Sequence, residues 1–167
     1  MKSMKTMTSL RKKQGGFTID NFLLWMVLAA LAMAIAVQTY VTARANLNRT
    51  AVVTAVGSIK AGAESTKTIN HTGVSMAKLC GAKRNAVPMK ICGSTRDGVK
   101  TNPYGGNYTV TVNTSNSQLI DIGITNVDSQ YIDDLADALA PHTAANCTSA
   151  TSCGGLTVAE NTITVTM

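Results

Sequence analysis

The residues best suited to covalent chemistry are four cysteines: Cys80, Cys92, Cys147 and Cys153. Their spacings fit no common zinc pattern. All four follow the long apolar stretch near the N-terminus, on the side predicted to be extracytoplasmic, where oxidising conditions favour disulfides. Four cysteines permit three pairings, and the sequence does not select one. We favour the pairs Cys80–Cys92 and Cys147–Cys153, each of which closes a short loop and contributes about 2–3 kcal/mol.

No constellation of side chains predicts catalysis. The two histidines, His71 and His142, are too few for a typical catalytic metal site. The chain has neither a nucleophile elbow nor a P-loop. Three carboxylates, Asp133, Asp134 and Asp137, share a predicted short helix, where an exposed face is usually solvated. We therefore expect no enzymatic activity, no bound metal and no cofactor.

The positive charge of the chain is concentrated at its N-terminus. The net charge is +6, but residues 1–16 hold five basic residues and no acid, which leaves +1 for residues 17–167. A second basic stretch has only Tyr104 nearby as an aromatic residue, so the usual stacking platform for nucleic acid is missing. We expect that stretch to be a solvated face and do not expect nucleic-acid binding. Its basic residues are Lys78, Lys83, Arg84, Lys90, Arg96 and Lys100, with Asp97 as the one acid among them.

An uncharged segment follows the basic N-terminus. Residues 21–43 carry no charge, and residues 22–37 are 16 consecutive apolar residues. A helix of this length crosses a bilayer of about 30 Å, and the basic flank places the N-terminus in the cytoplasm. Three interpretations compete. The segment is a cleaved secretory signal peptide, an uncleaved membrane anchor, or a helix that keeps its apolar part after the basic residues before it are cleaved off.

The residues between the basic flank and the apolar run favour the third interpretation. They read KKQGG-FTID, from Lys12 to Asp20. Together with the apolar helix, over residues 11 to about 45, this pattern resembles the type IV prepilin family. The resemblance implies that a dedicated peptidase cuts after a glycine and that the new first residue is N-methylated. We place the cut between Gly16 and Phe17, because phenylalanine often comes first in the family; a cut after Gly15 is the alternative.

The acidic residue near the cut departs from the family pattern. Family members usually have glutamate at mature position five, where it is thought to pair with the N-terminal amine of a neighbouring subunit. A cut after Gly16 makes Asp20 residue four, with Asn21 at position five, whereas a cut after Gly15 makes Asp20 residue five. We assign Asp20 to assembly. The alternative is that Asp20 lies near lipid head groups, where it favours the helix dipole.

The sequence predicts an α+β fold with a long N-terminal helix packed on a small antiparallel β-sheet, as in type IV pilins. No proline precedes Pro88, and apolar residues recur at helical spacing, which predicts one helix from about residue 18 to 68. The alternative is two helices with a break near Gly57. Residues 70–107 hold many turn signals and predict an irregular connector.

The second half of the chain contains strand patterns. Alternating residues predict strands at 108–112 and 120–124, and a last strand at 161–167 paired with 156–158. Between them, a short helix follows an N-cap at Asp128-Ser129 and is limited by Pro141.

These patterns divide the chain into three parts. Residues 1–16 form a cleaved leader, residues 17–43 form the membrane or filament-core half of the long helix, and residues 44–167 form a globular domain with the sheet and the disulfides.

The resemblance implies a structural subunit of a type IV pilus that polymerises through its N-terminal helix and serves adhesion, aggregation or conjugation. Its partners would be copies of itself, the prepilin peptidase, the assembly platform with its ATPase, and the bacterial inner membrane, with the finished pilus outside the cell. The 16-residue leader favours the type IVb group.

Two other classes of protein remain open. One is a pseudopilin of type II secretion. Many pseudopilins carry a calcium site, for which residues 121–134 offer Asp and Asn without EF-hand spacing. The other is a soluble secreted binding protein with an ordinary signal peptide, whose mature chain would begin near Ile35 or Val37.

Overall fold

The computed structural model describes residues 19–81 and 85–167, and its first element is one long helix. Helix α1 spans Ile19–Thr66, a length of 48 residues. The prediction of a single helix over about residues 18–68 is confirmed, and the alternative of a break near Gly57 is wrong. Backbone hydrogen bonding within the helix satisfies the polar groups at Gly57, so the missing side chain there does not interrupt it.

The chain divides into two compact units between Val41 and Thr42. The boundary predicted from the sequence lies after residue 43. In the first unit, every residue of α1 from Ile19 to Val41 is exposed. In the second unit, α1 buries one stripe of residues at intervals of three or four, the pattern of a helix that packs with one face. That stripe consists of Val52, Ala55, Val56, Ile59, Gly62 and Ala63.

Two short helices lie in the connector that the sequence predicted to be irregular. Helix α2 spans Met76–Leu79 and begins at Ser75, whose hydroxyl accepts a hydrogen bond from the Lys78 amide at 3.2 Å. Helix α3 spans Met89–Cys92 and follows Pro88. Four residues make little more than one helical turn, so no apolar periodicity exists from which to predict them.

The sheet has four antiparallel strands in the order β1-β2-β4-β3. Its strands are β1 (Tyr108–Val112), β2 (Ile120–Ile124), β3 (Leu156–Ala159) and β4 (Thr162–Thr166). The predicted strands are confirmed, including the pairing of the last two, in which Leu156 lies opposite Val165. Strand β4 therefore lies between β2 and β3, although it comes last in the chain.

Helix α4 (Ile132–Leu139) begins later than its predicted cap. The Asp128 carboxylate accepts a hydrogen bond from the Gln130 amide at 3.0 Å, and the Tyr131 amide donates to the Asp128 carbonyl at 2.9 Å. These bonds close a turn in front of the helix, and the N-cap residue, Tyr131, makes no side-chain capping bond. The predicted cap at Asp128-Ser129 is therefore wrong. The helix ends at Leu139, and Pro141 lies in the 3-10 turn that follows.

One hydrophobic core joins the second half of α1, the sheet and α4. The strand register aligns buried side chains across three strands: Val110 lies opposite Ile122, which lies opposite Val165. Ile59 of α1 and Leu135 of α4 belong to the same cluster and are 0% and 1% exposed. This is an α+β arrangement of a long helix and a small antiparallel sheet, as the sequence predicts.

Candidate functional site

The N-terminal part of α1 presents an apolar surface that nothing in its own unit covers. We call residues 22–37 the apolar segment. Trp25 is 63% exposed and Met33 is 71% exposed, and the other large side chains of the segment are exposed to similar degrees. Soluble proteins rarely expose a continuous apolar surface of this extent. The segment is therefore suited to contact with lipid or with other protein.

The length and composition of α1 meet the requirements of a membrane span. An 18-residue window of the helix has a mean hydropathy of 2.1 and is 0% buried. A helix rises about 1.5 Å per residue, so 20 residues cross the hydrocarbon core of a bilayer. A helix of this kind near the N-terminus is compatible with a membrane anchor and with a signal sequence.

The polar and small residues of this part of α1 tolerate apolar surroundings. The Thr39 hydroxyl lies 2.9 Å from the carbonyl oxygens of Ile35 and Ala36, so it donates its proton within the helix. Several alanines leave room for a neighbouring helix to approach closely. They are Ala29, Ala30, Ala32, Ala34 and Ala36.

Of the residues assigned to processing and assembly, the structure describes only Asp20. It lies in the first turn of α1 and is exposed, a position that favours a negative charge because of the helix dipole. Gly15, Gly16 and Phe17 lie outside the described residues, so the cleavage site remains a prediction from the sequence.

The cysteines form two disulfides in the second unit. Cys80 and Cys92 are bonded with a Cα–Cα distance of 5.5 Å, and Cys147 and Cys153 with one of 5.7 Å. These are the pairs that the sequence analysis favours. The first bond joins the residue after α2 to the last residue of α3 and therefore holds the two connector helices together. The second closes a surface loop between the 3-10 turn and β3.

The basic connector is partly ordered by its own hydrogen bonds. The Arg96 guanidinium donates from Nη1 to the Cys80 carbonyl at 3.3 Å. The Asp97 carboxylate accepts from the Thr95 hydroxyl at 2.6 Å and from the Val99 amide at 3.1 Å. These two bonds hold the pKa of Asp97 below its ordinary value. Lys83 and Arg84 lie outside the described residues.

A groove of about 670 Å³ lies between the second half of α1 and the connector. Its walls are mostly apolar and include Leu47, Ala51 and Ile91, with Lys90 among the lining residues. Tyr108 lies at one side, and burial raises the pKa of its hydroxyl. The sequence did not predict this groove, because its walls come from separate stretches of the chain that only folding brings together.

The remaining titratable groups show no arrangement for metal binding. Across residues 19–81 and 85–167, no group of three or more His, Cys, Asp or Glu could hold a metal ion. His71 is 3% exposed, with Nε2 at 3.2 Å from Oε1 of Glu64 and with no hydrogen-bond partner for Nδ1. Asp121 accepts hydrogen bonds from Asn113 and from the Thr166 hydroxyl.

Comparison with known proteins adds no family to this description. No family model matches the chain, and no curated protein or solved structure shows significant similarity to it. The assignment of function therefore depends on the residues and the geometry described above.

Proposed function

We propose that this chain is the precursor of a type IV pilin, a structural subunit that polymerises through its N-terminal helix. The observation that carries the proposal is the continuity of α1. One helix begins with an exposed apolar segment and continues, without a break, into the core of a disulfide-bonded unit. A subunit whose first half-helix inserts into a filament needs this combination.

The same continuity counts against an ordinary signal peptide. A secretory signal is removed at small residues that follow its apolar part, and the mature fold begins after them. The start sites that this alternative requires, near Ile35 and Val37, lie inside α1, more than a full helical turn from either of its ends. Cleavage there would cut an element that continues into the core.

Processing and assembly then follow from the chemistry of the segment. The basic leader keeps the N-terminus in the cytoplasm while the apolar segment spans the inner membrane. The peptidase removes residues 1–16, and N-methylation modifies Phe17. The helices leave the lipid and pack against one another, and the subunit joins a pilus outside the cell.

The energy of assembly comes mainly from sources other than hydrophobic transfer. The value of about 25 cal/mol per Å² applies to apolar surface leaving water, whereas this segment leaves lipid. Helix association in lipid depends on close packing and on polar pairing, which the alanines and Asp20 provide. The assembly ATPase supplies the remainder. Contacts that repeat head to tail without closing produce an open helical polymer.

Intact mass spectrometry of the mature protein, isolated from membranes and from sheared filaments, tests this proposal. We expect a chain of residues 17–167 that carries one methyl group on Phe17. A start at Gly16 would retain the class and move Asp20 to position five. A start near Ile35 or Val37 would overturn the proposal, because the apolar segment would then be missing from the mature protein.

A matched pair of variants tests the processing site itself. Gly16→Asp should abolish cleavage, because the peptidase is expected to need a small residue there, whereas Gly16→Ala should be cleaved. Immunoblots of whole cells separate the precursor from the mature form by the mass of the leader. Normal processing of Gly16→Asp would contradict the assignment of the cut.

A further inference from the structure

The charges of the second unit are separated along the chain. Residues 42–100 contain ten basic and two acidic residues, a net charge of +8. Residues 101–167 contain six acidic residues and neither lysine nor arginine, a net charge of −6. The small net charge of the mature chain therefore conceals two strongly charged halves of opposite sign.

The fold places connector charges and α4 charges on different sides of the sheet. The connector lies beside β1: α2 contacts β1, and the Tyr108 amide donates to the Gly98 carbonyl at 2.9 Å. Helix α4 contacts β3 and β4. Strands β1 and β3 are the two edges of the sheet, about 14 Å apart at the usual spacing between strands.

Each edge carries exposed charge of one dominant sign. We call the connector side the basic edge; its described basic residues are Lys78, Lys90, Arg96 and Lys100, of which Lys90 and Lys100 are exposed. We call the opposite side the acidic edge; its residues are Asp128, Asp133, Asp134 and Asp137, with Glu160 in the turn between β3 and β4, and all five are exposed.

The described residues of the two edges form no ion pair with each other within one molecule. In the described part of the chain, the one Lys or Arg that forms an ion pair is Lys67, at 3.7 Å from Glu64, and Glu64 also lies 3.2 Å from Nε2 of His71. No described residue of the basic edge or of the acidic edge takes part in these interactions. The Asp137 carboxylate accepts a hydrogen bond from the Ala150 amide at 2.7 Å, and it forms no ion pair with a basic residue that the structure describes.

The groove described above has residues of the connector in its lining and therefore adjoins the basic edge. Lys90 lines it, and Thr101, the neighbour of Lys100, lines it as well. None of its lining residues is acidic. The acidic edge offers a complementary surface, since Val158 of β3 is 41% exposed and lies near Glu160 in the same hairpin.

We propose that these edges bind each other between copies of the chain, so that the acidic edge of one copy docks on the groove and the basic edge of the next. The two surfaces differ, so the contact is heterologous. A row of docked copies therefore has a free basic edge at one end and a free acidic edge at the other. The biological setting of this contact rests on the proposed pilin function, but the contact itself involves residues 42–167 only.

The contact should be salt-sensitive and weak for a single pair of copies. Exposed ion pairs are individually weak, and at 0.15 M salt their fields fall off over about 8 Å. The contact therefore becomes effective where the copies are already aligned, as they are when their α1 helices are held side by side.

Zero-length carbodiimide cross-linking locates the contact in the full chain, purified in detergent. An equimolar mixture of ¹⁴N- and ¹⁵N-labelled protein distinguishes bonds between copies from bonds within one copy. We expect mixed-isotope cross-links from Lys90 or Lys100 to Asp133, Asp134 or Glu160 at low salt, reduced at least tenfold at high salt. Cross-links between copies that avoid these residues would overturn the proposal.

Charge reversal tests the head-to-tail geometry. One variant carries Lys90→Glu and Lys100→Glu, and the other carries Asp133→Lys and Asp134→Lys. At low salt and high protein concentration, each variant alone should lose the self-association that sedimentation velocity detects in the wild type. An equimolar mixture should recover it, because each variant keeps the edge that the other has lost. The control, Arg44→Glu with Lys60→Glu, makes the same change in net charge as the first variant, on exposed residues of α1, and should associate like the wild type.

The outcomes separate this contact from the pilin assignment. Two folded variants that fail to associate when mixed, or a control that loses association equally, overturn the contact even if the mature chain starts at Phe17. Recovery in the mixture supports the contact even if the mature chain starts near Ile35. Circular dichroism of each variant verifies that it is folded.

Discussion

Among the individual side chains, Asp20 has the most demanding position. Its carboxylate lies at the beginning of an exposed apolar helix, two residues before the apolar segment. A carboxylate that enters lipid or a filament core needs a partner of opposite charge. A free N-terminal amine of a neighbouring subunit would supply a full positive charge. The helix dipole would supply only a partial one.

If the chain assembles as proposed, Asp20→Ala should be processed normally but should reduce the yield of filaments at least tenfold, because the amine of the neighbouring subunit would lose its partner. Quantitative immunoblots of the sheared fraction measure this yield. Adding Asn21→Glu to that variant puts an acid at mature position five and should restore filaments. Wild-type yield from Asp20→Ala would assign Asp20 to the helix dipole instead.

The sequence predicted individual residues well where their role is local. The favoured cysteine pairs each close a short loop, and both disulfides are present. The processing residues Gly15, Gly16 and Phe17 lie outside the described residues and stay a prediction. The burial of His71 had no such signal, because the fold brings this residue next to a distant part of the chain, where its backbone amide donates to the Ser117 carbonyl at 2.9 Å. The groove at the basic edge likewise has walls from separate stretches of the chain.

Among the secondary-structure elements, α1 contains two glycines in very different surroundings. A Cβ added at Gly57 would meet no atom within 4 Å. A Cβ added at Gly62 would lie 2.7 Å from Cγ2 of Val87 and 3.0 Å from the Ala86 carbonyl oxygen. Gly62 therefore permits close approach of the connector to α1, whereas Gly57 only lowers the stability of the helix.

Gly57→Ala should raise the free energy of unfolding by up to about 1 kcal/mol, because alanine loses less backbone entropy in a helix. Gly62→Ala should lower it by about 1–3 kcal/mol, because the new methyl group overpacks the contact with Val87. Thermal unfolding of the two variants measures both changes. A stabilising Gly62→Ala would contradict the close approach described here.

The predictability of the elements follows their length and their pattern. Helix α1 and strands β1, β2 and β4 have sustained periodicity and were predicted nearly to the residue. Helices α2 and α3 have four residues each, too few to show a period, and were not predicted. The cap of α4 was placed too early, because Asp128 closes a local turn instead of capping the helix, and both uses of an aspartate look alike in sequence.

For the molecule as a whole, the two disulfides hold different parts of the second unit. Cys80 and Cys92 are both 0% exposed and belong to the hydrophobic core. Cys147 and Cys153 close a shorter loop, with a separation of 6 residues instead of 12. A longer loop loses more entropy when it is closed in the unfolded chain.

Replacing Cys80 and Cys92 with serine should lower the free energy of unfolding by about 3 kcal/mol or more, since it also places two hydroxyl groups in the core. Replacing Cys147 and Cys153 should lower it by about 2 kcal/mol. Denaturant unfolding of the oxidised proteins gives both values. A larger effect at the second pair would show that the C-terminal loop supports the fold more than its burial indicates.

The order of the strands also has a consequence for biosynthesis. Strand β4 fills the gap between β2 and β3, yet it is the last of the four to be synthesised. Until residues 162–166 have emerged, the hairpin of β1 and β2 keeps an open edge and β3 has no neighbour, and unpaired edges invite pairing with other chains. A nascent chain is therefore exposed to such pairing until its final strand arrives.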